Sequence, residues 1–443
     1  MAGKATILRL AALGLLLLAQ AAHAILPIQH WETSNGARVY FVESPGLPIL
    51  DVSVEFPAGS VFDAPSRSGL AAMTNRLLRL GADGLNEDEI AKRLADVGAQ
   101  LSGRFDTDRA GLTLRTLSSA TERRQALRIF GSVLHKPEFP QAVLEREKKR
   151  VVGAVKDADT KPDTIADRQF QQLIFRDHPY ALRMSGEAET VGKLAPEELL
   201  GFYRRHYAAR YAVVAMIGDI TRKEAEAIAA EIARGLPQTQ DAEPVPPPVA
   251  DLAAGQTRMI PHPATQSHII IGAPGIRRDD PDYFPLFVGN FVLGGGGLIS
   301  RINIEVRQKR GLAYSAYSHF APLLGRGPFT IGMQTQRART TEALEVARGT
   351  LRDFVKNGPT EQELDAAKRN IIGSFPLRID TNRKILDNLA VLGFYRLPLT
   401  YLEDFANNVD RVTAADIRNA FKRRVDPDRM VTVVVGADTE PGR

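Results

Sequence analysis

The sequence repeats itself. Each half opens on a strand-like run, Ile49–Phe56 and then His268–Gly272, followed by a turn and an apolar segment, Gly69–Leu80 and Tyr283–Leu293. Alternating β-like stretches come next, Gln100–Leu117 and Leu312–Gln334, then two long helical segments in each half. The second of these looks copied: Phe139-Pro140-Gln141 through Val155 parallels Pro359-Thr360-Glu361 through Gly373. Both halves close on a β-branched run ending in glycine, Ala212–Gly218 and Met430–Gly436, the pattern of buried strands. Five matched elements in one order predict a duplication. The mixed succession of strands and helices predicts α+β: two tandem homologous domains, each an antiparallel-rich sheet packed with helices, facing each other across a cleft.

Between the halves lies Gln238–Pro248, with three consecutive prolines, Pro246, Pro247 and Pro248, which fit neither a helix nor a central strand. Residues 238–250 are therefore expected to form a semi-rigid extended linker between a first domain at 25–237 and a second at 251–443. Residues 1–24 read as a cleavable secretory leader. Lys4 and Arg9 precede a short apolar run, Leu10–Ala19, and Ala22-His23-Ala24 offers small residues for cleavage. The run is too short to cross a bilayer, and no later stretch reaches the length of a spanning helix. The chain has no cysteine, so disulfides, thiolate metal sites and cysteine nucleophiles are excluded. Export of a cysteine-free chain points to a periplasm. The net charge of +5 includes the two leader cations and no long basic run, so nucleic acid is not an expected partner.

No complete active site is legible. The eight histidines include no pair spaced three or four apart, so no helix presents two imidazoles to one ion. His262 and His268, six apart around Pro263, read as a loop residue and a strand-edge residue. There is no G-x-S-x-G elbow, and the run Gly294-Gly295-Gly296-Gly297 is followed by Leu298-Ile299-Ser300 rather than the lysine a phosphate loop needs. That glycine run exposes backbone that another chain can approach. Behind it, Ser300–Arg310 reads as a short helix capped by Gly311, and Leu312–Ser318 as a strand that points Tyr314 and Tyr317 to opposite faces. A tight helix-to-strand turn can bring Arg307 and Tyr314 to one point. Spacing alone leaves two readings open: a solvated arginine beside a packed tyrosine, or a functional pair.

The stretch Glu305-Val306-Arg307-Gln308-Lys309-Arg310-Gly311-Leu312-Ala313-Tyr314-Ser315 behind a glycine-rich loop resembles the second-domain signature of the pitrilysin/insulinase peptidases. Asn35-Gly36, Pro57-Ala58-Gly59-Ser60, His178-Pro179-Tyr180 and Phe202–Tyr207 support the likeness, which covers nearly the whole chain after the leader and is strongest to the mitochondrial-processing-peptidase-like branch. The resemblance implies a duplicated α+β fold, and a role for Arg307 and Tyr314 in binding substrate and stabilising the tetrahedral intermediate. It implies substrate contact by Gly294, Gly295, Gly296 and Gly297. It also implies His-x-x-Glu-His after Gly-Leu-Ala, yet here Ala72, Asn75 and Arg76 hold the three essential positions. The helix that carries the family's third ligand reads Glu147 through Val155, with apolar residues where the ligand belongs. The expectation is a zinc-free subunit: no metal in this chain, and zinc in a homologous partner with which it forms a periplasmic heterodimer acting on peptides. A non-catalytic peptide-binding or scaffold protein of the same fold is the alternative. A self-sufficient zinc peptidase is disfavoured because no ligands converge.

Overall fold

The computed structural model describes residues 27–436; the leader expected at 1–24 lies outside the described residues. The first half contributes β1 (Gln29–Glu32), β2 (Arg38–Glu43), β3 (Ile49–Phe56), β4 (Gln100–Phe105), β5 (Ala110–Leu117) and β6 (Val213–Gly218). They form a six-stranded sheet in the order β1-β2-β6-β3-β5-β4. The second contributes β7 (Gln256–Ile260), β8 (Gln266–Pro274), β9 (Ala313–Phe320), β10 (Pro328–Gln336) and β11 (Val431–Val435), ordered β7-β11-β8-β10-β9. Strand for strand the second sheet repeats the first, lacking only β1. In each, the aliphatic closing strand runs parallel to one neighbour, β6 to β2 and β11 to β7, and the other pairings are antiparallel.

A sheet has two faces, and each half covers only one of its own. Helices of the first half bury Val214 and Met216 of β6, and those of the second bury Val434 of β11. The opposite faces are covered by exchange. Helix α3 (Pro162–Phe175) follows α2 (Gln141–Ala158) in the first half, but lays Ala166, Phe170 and Ile174 on Val431, Val433 and Val435 of the second sheet. Helix α4 (Asn382–Phe394) follows Glu361–Ser374 in the second half, but lays Ile385, Leu386, Leu389 and Ala390 on Tyr40, Val42, Val213, Ala215 and Ile217 of the first. This explains why Ala212–Gly218 and Met430–Gly436 read as unbroken apolar runs: strands buried on both faces lose their alternation.

Glycine permits the close approach. A Cβ on Gly393 of α4 would stand 2.5 Å from the Tyr40 ring and 2.6 Å from Val213, and one on Gly272 of β8 would stand 2.8 Å from Phe170 of α3. The linker is strapped to this body. Tyr211 Oη donates to the carbonyls of Asp241 (3.2 Å) and Ala242 (3.1 Å), and His178 Nε2 donates to that of Pro247 (2.9 Å).

Where the halves meet, Asp108, in the β4–β5 turn, is wholly buried. It accepts from Leu324 N–H (2.7 Å), Tyr180 Oη (2.9 Å) and Tyr395 Oη (3.0 Å), so one carboxylate ties the first half to two points of the second. Burial pushes the Asp108 carboxyl up from 3.8 to about 6, against the pull of the Leu324 N–H and aided by the charge of Asp106.

Gly393→Ala should destabilise the protein by about 1–3 kcal/mol in urea unfolding, because overpacking outweighs the gain in helix propensity; a neutral or stabilising result contradicts the close approach. The folded state holds the Asp108 proton more tightly than the unfolded chain does. Its contribution is therefore full below about pH 4 and lost as pH rises through about 6. The stability of wild type relative to Asp108→Asn should fall by about 2–3 kcal/mol between pH 4 and 7, and a difference independent of pH contradicts the shift.

Candidate functional site

The first candidate region is α1 (Leu70–Leu77), which carries the positions where the resemblance implies a metal. It starts at Gly69, whose φ of 95° is left-handed and whose missing Cβ leaves room for Gly186 and Val191. Asp63 caps this start, accepting from the N–H groups of Gly69 (2.7 Å) and Ala71 (2.8 Å). Burial nevertheless pushes its carboxyl up to about 7. Ala72 offers no donor atom. Asn75 is buried and its amide donates to the Gly111 carbonyl (2.9 Å). Arg76 Nε lies 2.5 Å from Glu147 Oε2.

Glu147 was the partner that reading the sequence missed. The helix on which the resemblance implies a third ligand sends a carboxylate from its Glu147, 3% exposed, to Arg76. Arg146 Nε holds the other oxygen at 3.1 Å, and Arg150 stands 4.0 Å away. Spacing alone could not show that residues 76 and 147 meet, because the contact depends on how α1 and α2 pack. A metal does not fit this pocket. A guanidinium already neutralises its one carboxylate, and among the described residues no three His, Cys, Asp or Glu side chains converge as ligands would.

The second region is the stretch behind the glycine run. The expected helix Ser300–Arg310 is a single turn at Arg301–Asn303 that widens into a π-helical turn at Ile304–Gln308, ending at Gly311 with φ 60°. Arg307 leaves that turn with its guanidinium carbon 4.6 Å from the centre of the Tyr314 ring. The two residues thus meet, as the tight turn allows. Among the described residues Arg307 has no carboxylate partner, and Tyr314 is 83% exposed.

One expectation is corrected. Tyr314 and Tyr317 do not face opposite ways. The register of β9 against β10 shifts between Ala313 and Ala316, and this bulge turns both rings into the same cavity. Tyr317 lies flat over Gly332, where a Cβ would come within 2.5 Å of its ring. The glycine run also has internal reasons. The missing side chains of Gly294, Gly295 and Gly296 accommodate Ser318, Asn290 and Phe291, and only Gly297 (φ 63°) faces open space.

The two regions are ends of one trough with α3 along its wall. A cavity of about 680 Å³ is lined by Tyr314, Ser315 and Tyr317 of β9, His268 of β8, and Asp163, Thr164 and Asp167 of α3. A neighbouring cavity of about 540 Å³ runs from Thr164 and Asp167 past His319 to Phe105 and Ala72. Burial raises the Asp167 carboxyl and lowers the His319 imidazole, while their mutual attraction opposes both shifts. Because α3 belongs to the first half but lies on the second sheet, the trough is built by the helix exchange.

Comparison with known proteins agrees with this geometry. Residues 38–187 match the family described as Insulinase (Peptidase family M16), and residues 193–371 match its Peptidase M16 inactive domain. A crystal structure of a peptidase M16 inactive domain from Pseudomonas fluorescens is 36% identical, with a TM-score of 0.90, and the match covers 94% of this chain and 100% of that one. A non-peptidase homolog of Helicobacter pylori is 25% identical over 90% of this chain and 91% of its own length. An uncharacterized zinc protease of Streptomyces coelicolor is 24% identical over 94% and 90%.

The ion pair yields a prediction. Arg76→Ala should cost about 1–3 kcal/mol, the partly exposed guanidinium discounting the larger penalty of a fully buried pair. The double variant Arg76→Ala/Glu147→Ala should recover part of that loss in a double-mutant cycle. Additive single effects contradict the pairing.

Proposed function

We propose, from the premise that this chain belongs to the insulinase (M16) family of peptidases, that it is the metal-free subunit of a periplasmic two-chain peptidase. A homologous partner supplies the zinc and the base. This chain supplies Arg307, Tyr314 and a wall of the substrate chamber. The observation that carries the reading is the pairing of an exposed phenol with a guanidinium that has no carboxylate partner among the described residues, on the rim of the trough.

The chemistry asked of the pair is hydrogen-bond donation. A peptide lies extended in the trough beside Tyr314 and Tyr317 of β9, whose outer edge is capped further along by Asn303 and Asn290, donating to the Ala316 and Ser318 carbonyls. Tyr314 Oη–H and the Arg307 N–H groups donate to oxygen as negative charge develops on it, and the cation over the ring keeps the two groups together. The exposed loop tip at Gly297, Leu298 and Ile299 lies beside them, joined through Gln308 Nε2, which donates to the Leu298 carbonyl at 2.6 Å. Among the described residues no helix is long and apolar enough to cross a membrane.

The alternative, a non-catalytic peptide-binding or scaffold protein, draws on the name of the Helicobacter relative and on the internal packing that already accounts for three of the four glycines. In that reading the trough holds peptides without cleaving them.

Peptide hydrolysis by this chain alone and with a zinc-bearing homologous chain from the same organism separates the two. Activity is expected only in the mixture, and Tyr314→Phe or Arg307→Ala should lower kcat by about 10²–10³-fold at unchanged zinc content. Undiminished activity in those variants contradicts the role given to the pair.

A further inference from the structure

Arg79 has no function in the fold that its surroundings explain. It lies one turn beyond Arg76 on the same face of the helical segment, which continues past α1 through Leu78–Leu80. Its Nε is buried and meets no acceptor, and among the described residues the side chain has neither a hydrogen bond nor an ion pair. Burial, and then the charge of Arg76, lower its pKa, and no carboxylate offsets them. A buried N–H left without an acceptor costs its desolvation, and here that atom is the Arg79 Nε.

The surroundings are cationic. Arg76, Arg146 and Arg150 gather around Glu147, with Arg79 close enough to Arg76 to feel its charge, and the carboxylates paired with them are Glu147 and Glu87, the latter held by both terminal nitrogens of Arg146 at 2.7 and 2.6 Å. The Arg79 guanidinium lies against Gly103 of β4, where a Cβ would approach its Nη2 to 3.4 Å and Asn75 Oδ1 to 3.1 Å. The guanidinium thus lies over the face of β4, the edge strand of its sheet.

We propose that the pocket at the degenerate metal position has reversed its charge preference and binds an oxyanion, with Arg79 as its principal donor and Arg76 beside it. A planar guanidinium matches a carboxylate with two parallel N–H···O bonds. The ligand expected, in a chain built around a peptide-sized trough, is a carboxylate of an acidic peptide. A free inorganic oxyanion shares that chemistry. The site stands apart from the Arg307–Tyr314 reading, and its test measures binding rather than cleavage.

The full chain is titrated at constant ionic strength with an acetylated triglutamate peptide, with sulfate and with chloride, following thermal stability and heats of binding. Saturable stabilisation by the peptide or by sulfate, but not by chloride, is expected, and the tighter of the two identifies the source of the anion. Arg79→Gln should weaken it by about tenfold or more, and Arg79→Lys, which keeps the charge but loses the planar fork, by less. Ligand-free Arg79→Gln should melt no lower than wild type, because the charge removed has no partner. The exposed control Arg429→Gln should bind as wild type does. The proposal is overturned if neither oxyanion saturates, if Arg79→Gln binds unchanged, or if zinc or magnesium chloride stabilises wild type saturably instead.

Discussion

The structure depends on an exchange of helices. A sheet with helices on one face still presents an apolar face to water, and a duplicated chain has two such faces to cover. Here α3 crosses to the second sheet and α4 to the first, so each half closes the core of the other. Neither half is complete alone, and their relative position is set by packed side chains rather than by the Pro-rich connection. The same exchange builds the trough, because α3 brings Asp163, Thr164 and Asp167 of the first half against Tyr314 and Tyr317 of the second.

At one end of that trough the electrostatics run opposite to those of a metal centre. A cation site needs converging lone pairs and negative charge. This pocket has a methyl group at Ala72, a committed amide at Asn75 and guanidiniums at Arg76 and Arg79, with Glu147 neutralised from within. At the other end Glu305 pairs with Lys309 and Arg310, while among the described residues the Arg307 guanidinium has no carboxylate partner and the Tyr314 phenol is exposed. One end offers no ligand set for a cation, while the other presents an exposed phenol beside a guanidinium.

Much of this was legible in the residues. Periodicity and the paired aliphatic runs identified the duplication, and the strand order bears it out. The Arg307–Tyr314 encounter followed from a helix, a glycine at 311 and a strand, all local features. What stayed hidden was non-local or irregular. No pattern in Pro162–Phe175 says which sheet it will cover, since an amphipathic helix fits either. The β9 bulge adds a residue to the alternation, so the period-two argument misplaced Tyr317. Glu147 and Asp108 are single carboxylates whose partners lie far away in sequence, and charge patterning along the chain cannot see such pairs.

The central claim is a division of labour between two chains, and the zinc content of the assembly that cleaves peptide tests it most directly. Subunit composition and bound metal should be measured on one active, homogeneous preparation. The account predicts that zinc copurifies with a second, homologous chain and is absent from this chain when the two are separated. An active preparation containing only this chain, with zinc bound in proportion to it, contradicts the account.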